Sequence, residues 1–186
     1  MERITELAGR HAKWVQPSSN QRYYELHSDS LVMASLRFRS AFGTLAVAKT
    51  ANESWTFKRV GFINIRVTVR RAGEEGDTAV YAPRFWGEGV LRFSDDATLL
   101  WRPTNFWATQ WAFGLPDGGL VLEFKTGIPH ERLKDIFKTQ ATVEIMDVPE
   151  WRSRLPLLLP LGFYLFIMHH EDAAAGAAAT SGALAG

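Results

Sequence analysis

The chain has 186 residues, a usual single-domain length and enough to enclose a core, and its 46% hydrophobic and 22% charged content excludes wholesale disorder. Lys and Arg number 21 against 20 Asp and Glu, so no global field draws the whole molecule onto nucleic acid. The absence of cysteine excludes disulfides, thiolate nucleophiles, Cys-ligated metal centres and palmitoyl anchoring.

In chain order, Ile4, Leu7, Ala8, His11, Trp14 and Val15 recur at three-and-four spacing, which predicts an amphipathic helix over 2–15. Pro17-Ser18-Ser19-Asn20 then reads as a loop, so residues 1–21 are expected to be a helix and loop preceding the main domain, 22–172. The first residues mix charges with apolar side chains and lack the apolar run of a signal peptide, which gives the expectation of a cytoplasmic protein.

From Arg22 to Lys125 the period changes to short strands separated by turn residues. Leu31–Arg39, Thr44–Ala48 and Ser54–Val60 come first; Thr78–Tyr81, Gly89–Phe93, Thr98–Trp101, Trp107–Phe113 and Leu120–Lys125 follow a longer run over Gly61–Arg71. In that run Ile63, Ile65, Val67 and Val69 alternate with Asn64, Arg66, Thr68 and Arg70, the pattern of a strand with one face buried. The connections 73–76, 94–96 and 116–119 have hairpin chemistry, so the strands are expected to meander into a sandwich or barrel, not to form βαβ units. Pro129 opens a predicted short helix carrying Leu133, Ile136 and Phe137, and Thr139–Met146 returns to strand.

Residues 155–168 carry no charge. A membrane span needs about 20 apolar residues, which this segment lacks, and a central strand is usually shorter. The remaining reading is a helix over about 155–170, apolar all round and therefore surrounded by protein, with Pro156 in its first turn and Pro160 kinking it or marking its start. Residues 173–186, nearly all Ala, Gly, Ser and Thr, are expected to be a flexible tail.

A meandering sheet followed by an all-round apolar helix is satisfied by closing the sheet and placing the helix inside. The order of Trp55-Thr-Phe-Lys-Arg-Val-Gly-Phe62, Gly87-x-Gly89-x-Leu91-x-Phe93-Ser-Asp-Asp96, Trp101, Trp111-x-Phe113 with Pro116-Asp-Gly-Gly119, and the Leu-rich helix resembles the tubby C-terminal-like superfamily over residues 22–170. That group includes tubby, phospholipid scramblase and LURP-one-related proteins. The resemblance implies a mainly β fold, a closed antiparallel barrel of about twelve strands around a central hydrophobic C-terminal helix.

His169-His170-Glu171-Asp172 is the densest set of potential metal ligands, but neighbouring residues on a helix diverge in direction, so it reads as a buried helix turning polar on reaching water. Gly87-Glu88-Gly89 lacks the third glycine and strand-to-helix setting of a phosphate loop and reads as a turn. The five histidines fall in no triad order, which leaves hydrolytic or transfer chemistry unsupported and no cofactor expected. Trp-Arg pairs at 86 and 84, 101 and 102, and 151 and 152 resemble a stacking platform for single strands; packing in a β domain explains them with fewer assumptions, and nucleic acid is not expected.

Lys58, Arg66 and Arg70 are the candidate ligand-binding residues, because two adjacent strands would place them on one outer surface. Tubby proteins bind phosphoinositide headgroups through basic residues on adjacent strands, so the resemblance implies a non-enzymatic module that meets anionic phospholipid or a protein partner on the barrel exterior, peripheral to the membrane and without a transmembrane span. The alternative is a calycin-like barrel carrying a small apolar ligand in its lumen. The two differ in what fills the barrel.

Overall fold

The computed structural model describes residues 4–84, 87–127 and 139–183. Twelve antiparallel strands form a closed barrel in which each strand pairs with its neighbours in sequence and β1 closes against β12. They are β1 (His11–Val15), β2 (Tyr23–Ser28), β3 (Leu31–Phe38), β4 (Ala46–Lys49), β5 (Ser54–Val60), β6 (Arg66–Arg71), β7 (Ala79–Pro83), β8 (Gly89–Phe93), β9 (Thr98–Pro103), β10 (Gln110–Gly114), β11 (Leu120–Thr126) and β12 (Ala141–Ile145). A 3-10 turn at Pro149–Arg154 then leads into α1 (Leu155–Ala183). Closure removes the two open edges that a flat sheet would expose.

Helix α1 threads the lumen. Every residue from Leu157 to Met168 is buried, and aromatic barrel side chains pack against several of them. Trp14 stacks on Phe163 at 4.6 Å, Phe38 on Tyr164 at 5.6 Å, and Trp101 packs against Trp111, Phe113 and Phe124. Each large apolar side chain so buried contributes about 1.5–3 kcal/mol relative to exposure. A helix apolar all round finds no stable place on a surface, and a sheet with one apolar face must cover it; each meets the other's requirement. Pro160 lies inside α1, where it lacks the N–H that would otherwise bond one turn back. The lumen is thus occupied by residues 155–168, which removes the space a luminal ligand needs.

Three expectations are corrected. Residues 2–15 are not one helix: Ile4–Leu7 form a single buried 3-10 turn, Gly9 has φ +76, and His11–Val15 is strand β1 with Ala12 and Trp14 inward. The barrel therefore begins at residue 11, not 22. Gly9 breaks the helix, and pairing with both β2 and β12 gives this backbone more hydrogen bonds than a short surface helix would.

The alternation over Gly61–Arg71 is half strand and half loop. Gly61 has φ +89 and sits where a side chain would collide with the carbonyl of Asn64, so residues 61–65 turn back and pairing starts at Arg66. Val67 and Val69 enter the core, whereas Ile63 is 90% exposed.

Residues 173–183 are helical, not a flexible tail. Helix bonds are internal to the segment and alanine is the strongest helix former, so α1 continues past the barrel with residues 171–177 exposed. The helix expected after Pro129, with Leu133, Ile136 and Phe137, lies outside the described residues.

Because the strands alternate in direction, the connections alternate between two ends. At the lower end α1 begins, and Arg154 bonds Asp95 in the loop after β8. At the upper end α1 emerges, and the loops 16–22, 39–45, 61–65 and 104–109 surround it, with residues 84, 87 and 88 at the same end.

Candidate functional site: the outer wall of β5 to β8

Strand alternation sends Trp55, Phe57, Val67, Val69, Ala79, Tyr81, Leu91 and Phe93 into the core, so their neighbours must face outward. Lys58 pairs across with Thr68, Thr68 with Val80, and Val80 with Arg92. One row thus crosses four strands with a cation at each end. Arg66 and Arg70 lie two residues on either side of Thr68 and share its face, so the structure brings Lys58, Arg66 and Arg70 onto one wall. Residues at such diagonal positions are about 7–8 Å apart.

These three are not equivalent. Arg70 Nε donates to Asp77 Oδ1 at 2.6 Å and is held in place, whereas Lys58 and Arg66 are exposed and make no salt bridge among the described residues. Two further cations belong to the wall, Arg84 and Arg92. Both flank an open groove of about 410 Å³ between β7 and β8, floored by Val80, Ala82 and Val90 and edged by Asp77. The signal for Arg92 was present in Gly89–Phe93, where Val90 and Arg92 alternate with Leu91 and Phe93. Its position beside Lys58 depends on the register of three strand pairs.

Chemically, the wall offers guanidinium and ammonium donors above an apolar strip. Guanidinium suits bidentate contact with phosphate, and the strip accepts a short stretch of hydrocarbon beside it. The positions are rigid because all four strands are hydrogen-bonded on both sides.

The polar end of the buried helix has a structural role. Arg22 Nη2 meets both oxygens of Glu171 at 2.6 and 2.9 Å, and Arg59 clasps Asp172 with two bonds of 2.9 and 2.7 Å. These two pairs latch α1 to β5 and to the loop before β2. The hydrogen bonds that the Arg59 guanidinium donates to Asp172 hold it even more firmly protonated than usual, and burial raises the Glu171 carboxyl. His169 packs on Trp111 at 4.1 Å with its pKa lowered by burial and then by His170, while His170 Nδ1 bonds the carbonyl of Phe166 at 2.9 Å.

Tyr81 and Tyr164 carry phenols whose pKa is raised, chiefly by burial; Tyr81 donates to the carbonyl of Gly87 and Tyr164 to that of Thr44. Of the Trp-Arg pairs, Trp101 is in the core and Trp151 packs against Phe93 and Arg154, while Trp86 lies outside the described residues. Among the described residues no helix is long and apolar enough to cross a membrane. In comparisons with known proteins no family model, no curated protein and no solved structure matches the chain.

Proposed function

We propose that this protein is a non-enzymatic binding module that meets anionic phospholipid headgroups with the outer wall of β5 to β8, as a peripheral protein on the cytoplasmic face of a membrane. The observation that carries this reading is the set of exposed cations, Lys58, Arg66, Arg84 and Arg92, on one face of the barrel, two of them lining an apolar groove. The sequence's resemblance to the tubby-like superfamily supports it, since tubby proteins use basic residues of adjacent strands for the same chemistry. Each basic residue near an anionic surface contributes on the order of 1 kcal/mol, so four provide about 4 kcal/mol, a factor of roughly a thousand in partitioning. The attachment is reversible and weakens as salt screens it.

Sedimentation with vesicles of phosphatidylcholine alone, or with added phosphatidylserine or phosphoinositide, tests the reading at low and physiological salt. Anionic vesicles carry the protein down, and Lys58→Ala/Arg66→Ala/Arg92→Ala lowers that at least tenfold, whereas Arg152→Ala, whose partner is Asp147 at the lower end, does not. Asp77→Asn releases Arg70 and strengthens binding. Equal sedimentation with neutral vesicles, or by the triple variant, refutes the reading and leaves a protein-interaction module.

A further inference from the structure

Large apolar side chains in a soluble barrel belong inside, yet Phe42 is 101% exposed, Phe62 97%, Ile63 90%, Phe106 92% and Trp107 78%. All five sit on upper-end loops: 39–45, 61–65 and 104–109. Single exposed apolar residues are ordinary, but five at the tips of three loops around one rim are not scatter.

Each loop is braced so that its tip points away from the core. Arg22 Nη1 donates to the carbonyls of Ser40, Ala41 and Gly43, fixing the turn that carries Phe42. The left-handed Gly61 sets the turn that carries Phe62 and Ile63. Asn105 Oδ1 accepts from the N–H groups of Thr109 and Gln110, and Trp111 Nε1 donates to the carbonyl of Ala108. Ala108 itself has φ +51, a conformation that costs a non-glycine residue free energy and is kept here beside Phe106 and Trp107. The tips are held out before anything binds them.

Charge separates the two ends in the same sense. The lower-end loops hold carboxylates at Asp29, Glu53, Glu74, Asp95, Asp117 and Asp147, of which Glu53 and Glu74 pair with Arg71, Asp95 with Arg154 and Asp147 with Arg152, leaving Asp29 and Asp117 without a salt bridge among the described residues. Among the described residues of the upper-end loops Glu88 is the one carboxylate, while Arg39, Arg66 and Arg84 border them, exposed and without a salt bridge. Glu171 and Asp172 are neutralised by Arg22 and Arg59, and the sequence has no charged residue after Asp172, so the emerging helix brings no unpaired ion to the rim.

We propose that the upper rim inserts Phe42, Phe62, Ile63, Phe106 and Trp107 into the interfacial layer of an anionic bilayer, with the barrel tilted so that the β5 to β8 wall faces the same headgroups and Arg39, Arg66 and Arg84 lie among them. A bilayer fits these tips better than a protein partner does. They stand on three separate loops, and a lipid interface takes up dispersed aromatic side chains without requiring complementary shape. The proposal rests on the anionic-lipid reading of the wall and adds an insertion surface and an orientation to it.

The chain has no cysteine, so Phe62→Cys, Phe106→Cys and, at the lower end, Asn52→Cys each accept a single nitrobenzoxadiazole label. With vesicles of phosphatidylcholine and phosphatidylserine, labels at 62 and 106 shift to the blue and are quenched by brominated acyl chains, and the label at 52 is unaffected. Phe62→Ser/Ile63→Ser/Phe106→Ser/Trp107→Ser lowers vesicle association at least tenfold at an unchanged melting temperature, since these side chains already face solvent. Three results overturn the proposal while leaving the wall reading intact: silent rim labels on protein that sediments, undiminished binding by the quadruple variant, or label shifts that need only more protein and no lipid. If the unlabelled protein sediments neither with these vesicles nor with ones carrying phosphoinositide, both fall together.

Discussion

Gly162 is the residue at which helix propensity and barrel packing disagree most. It lies mid-helix in the lumen, where a Cβ would stand 2.5 Å from two ring carbons of Phe124 and 3.1 Å from Phe113. Helix propensity alone favours alanine there by about 1 kcal/mol. Overpacking a closed core costs about 1–3 kcal/mol, and contacts this short on residues walled in by sheet belong near the upper figure. The expected net effect of Gly162→Ala is a loss of about 2 kcal/mol, or roughly 4–8 °C in melting temperature for a domain of this size.

Two controls isolate the cause. Gly176→Ala lies on the same helix outside the barrel with nothing within 4 Å of its would-be Cβ, so it is neutral or stabilises by up to about 1 kcal/mol. Phe124→Ala alone costs about 3–5 kcal/mol, and combined with Gly162→Ala it costs less than the two separately, because the alanine methyl then has room. Calorimetry and urea titration measure the four variants beside the unmodified protein. A Gly162→Ala protein as stable as the unmodified one, or an additive double variant, refutes the claim that α1 fills the lumen at close packing.

Leu161→Asp and Phe166→Asp each place an unpaired charge in the same lumen; that costs several kcal/mol against a whole-domain stability of about 5–15, so both are expected insoluble or unfolded by circular dichroism, and a soluble variant with an unchanged melting curve contradicts the placement of α1. Tyr81 and Tyr164 bind their protons more tightly folded than unfolded, so their stabilisation is complete below the unfolded phenol pKa of about 10 and is lost as pH rises above it. Alkaline titration at 295 nm therefore shows these two ionising together with unfolding, and Tyr164→Phe moves the alkaline midpoint upward; an early, reversible tyrosine signal from Tyr164 in folded protein contradicts this.

How much of this was legible in the sequence varies by element. Strands such as Ser54–Val60 and Gly89–Phe93 coincide with the structure because alternation and flanking turn residues are local signals. An uncharged run over 155–168 with prolines at 156 and 160 was enough to place a buried helix, since no other surroundings satisfy it. Residues 2–15 and 61–65 misled for one reason: period describes what a segment would bury if it had a partner. Trp14 found its partner in Phe163, about 150 residues away, and Ile63 found none.

The basic wall was half legible. Strand period put Arg66 and Arg70 on a common face, but the engagement of Arg70 by Asp77, the addition of Arg84 and Arg92, and the gathering of Phe42, Phe62 and Trp107 on one rim depend on barrel closure. Closure aligns loops that are 20 to 40 residues apart and makes every second one a neighbour at the same end. The sequence by itself determined most of the strands between 31 and 125, the apolar face of each and that one helix must be enclosed, because these follow from near-neighbour chemistry. Which charges remain unpaired and which apolar tips are left in water were decided by the tertiary structure, because both depend on register summed around a closed sheet.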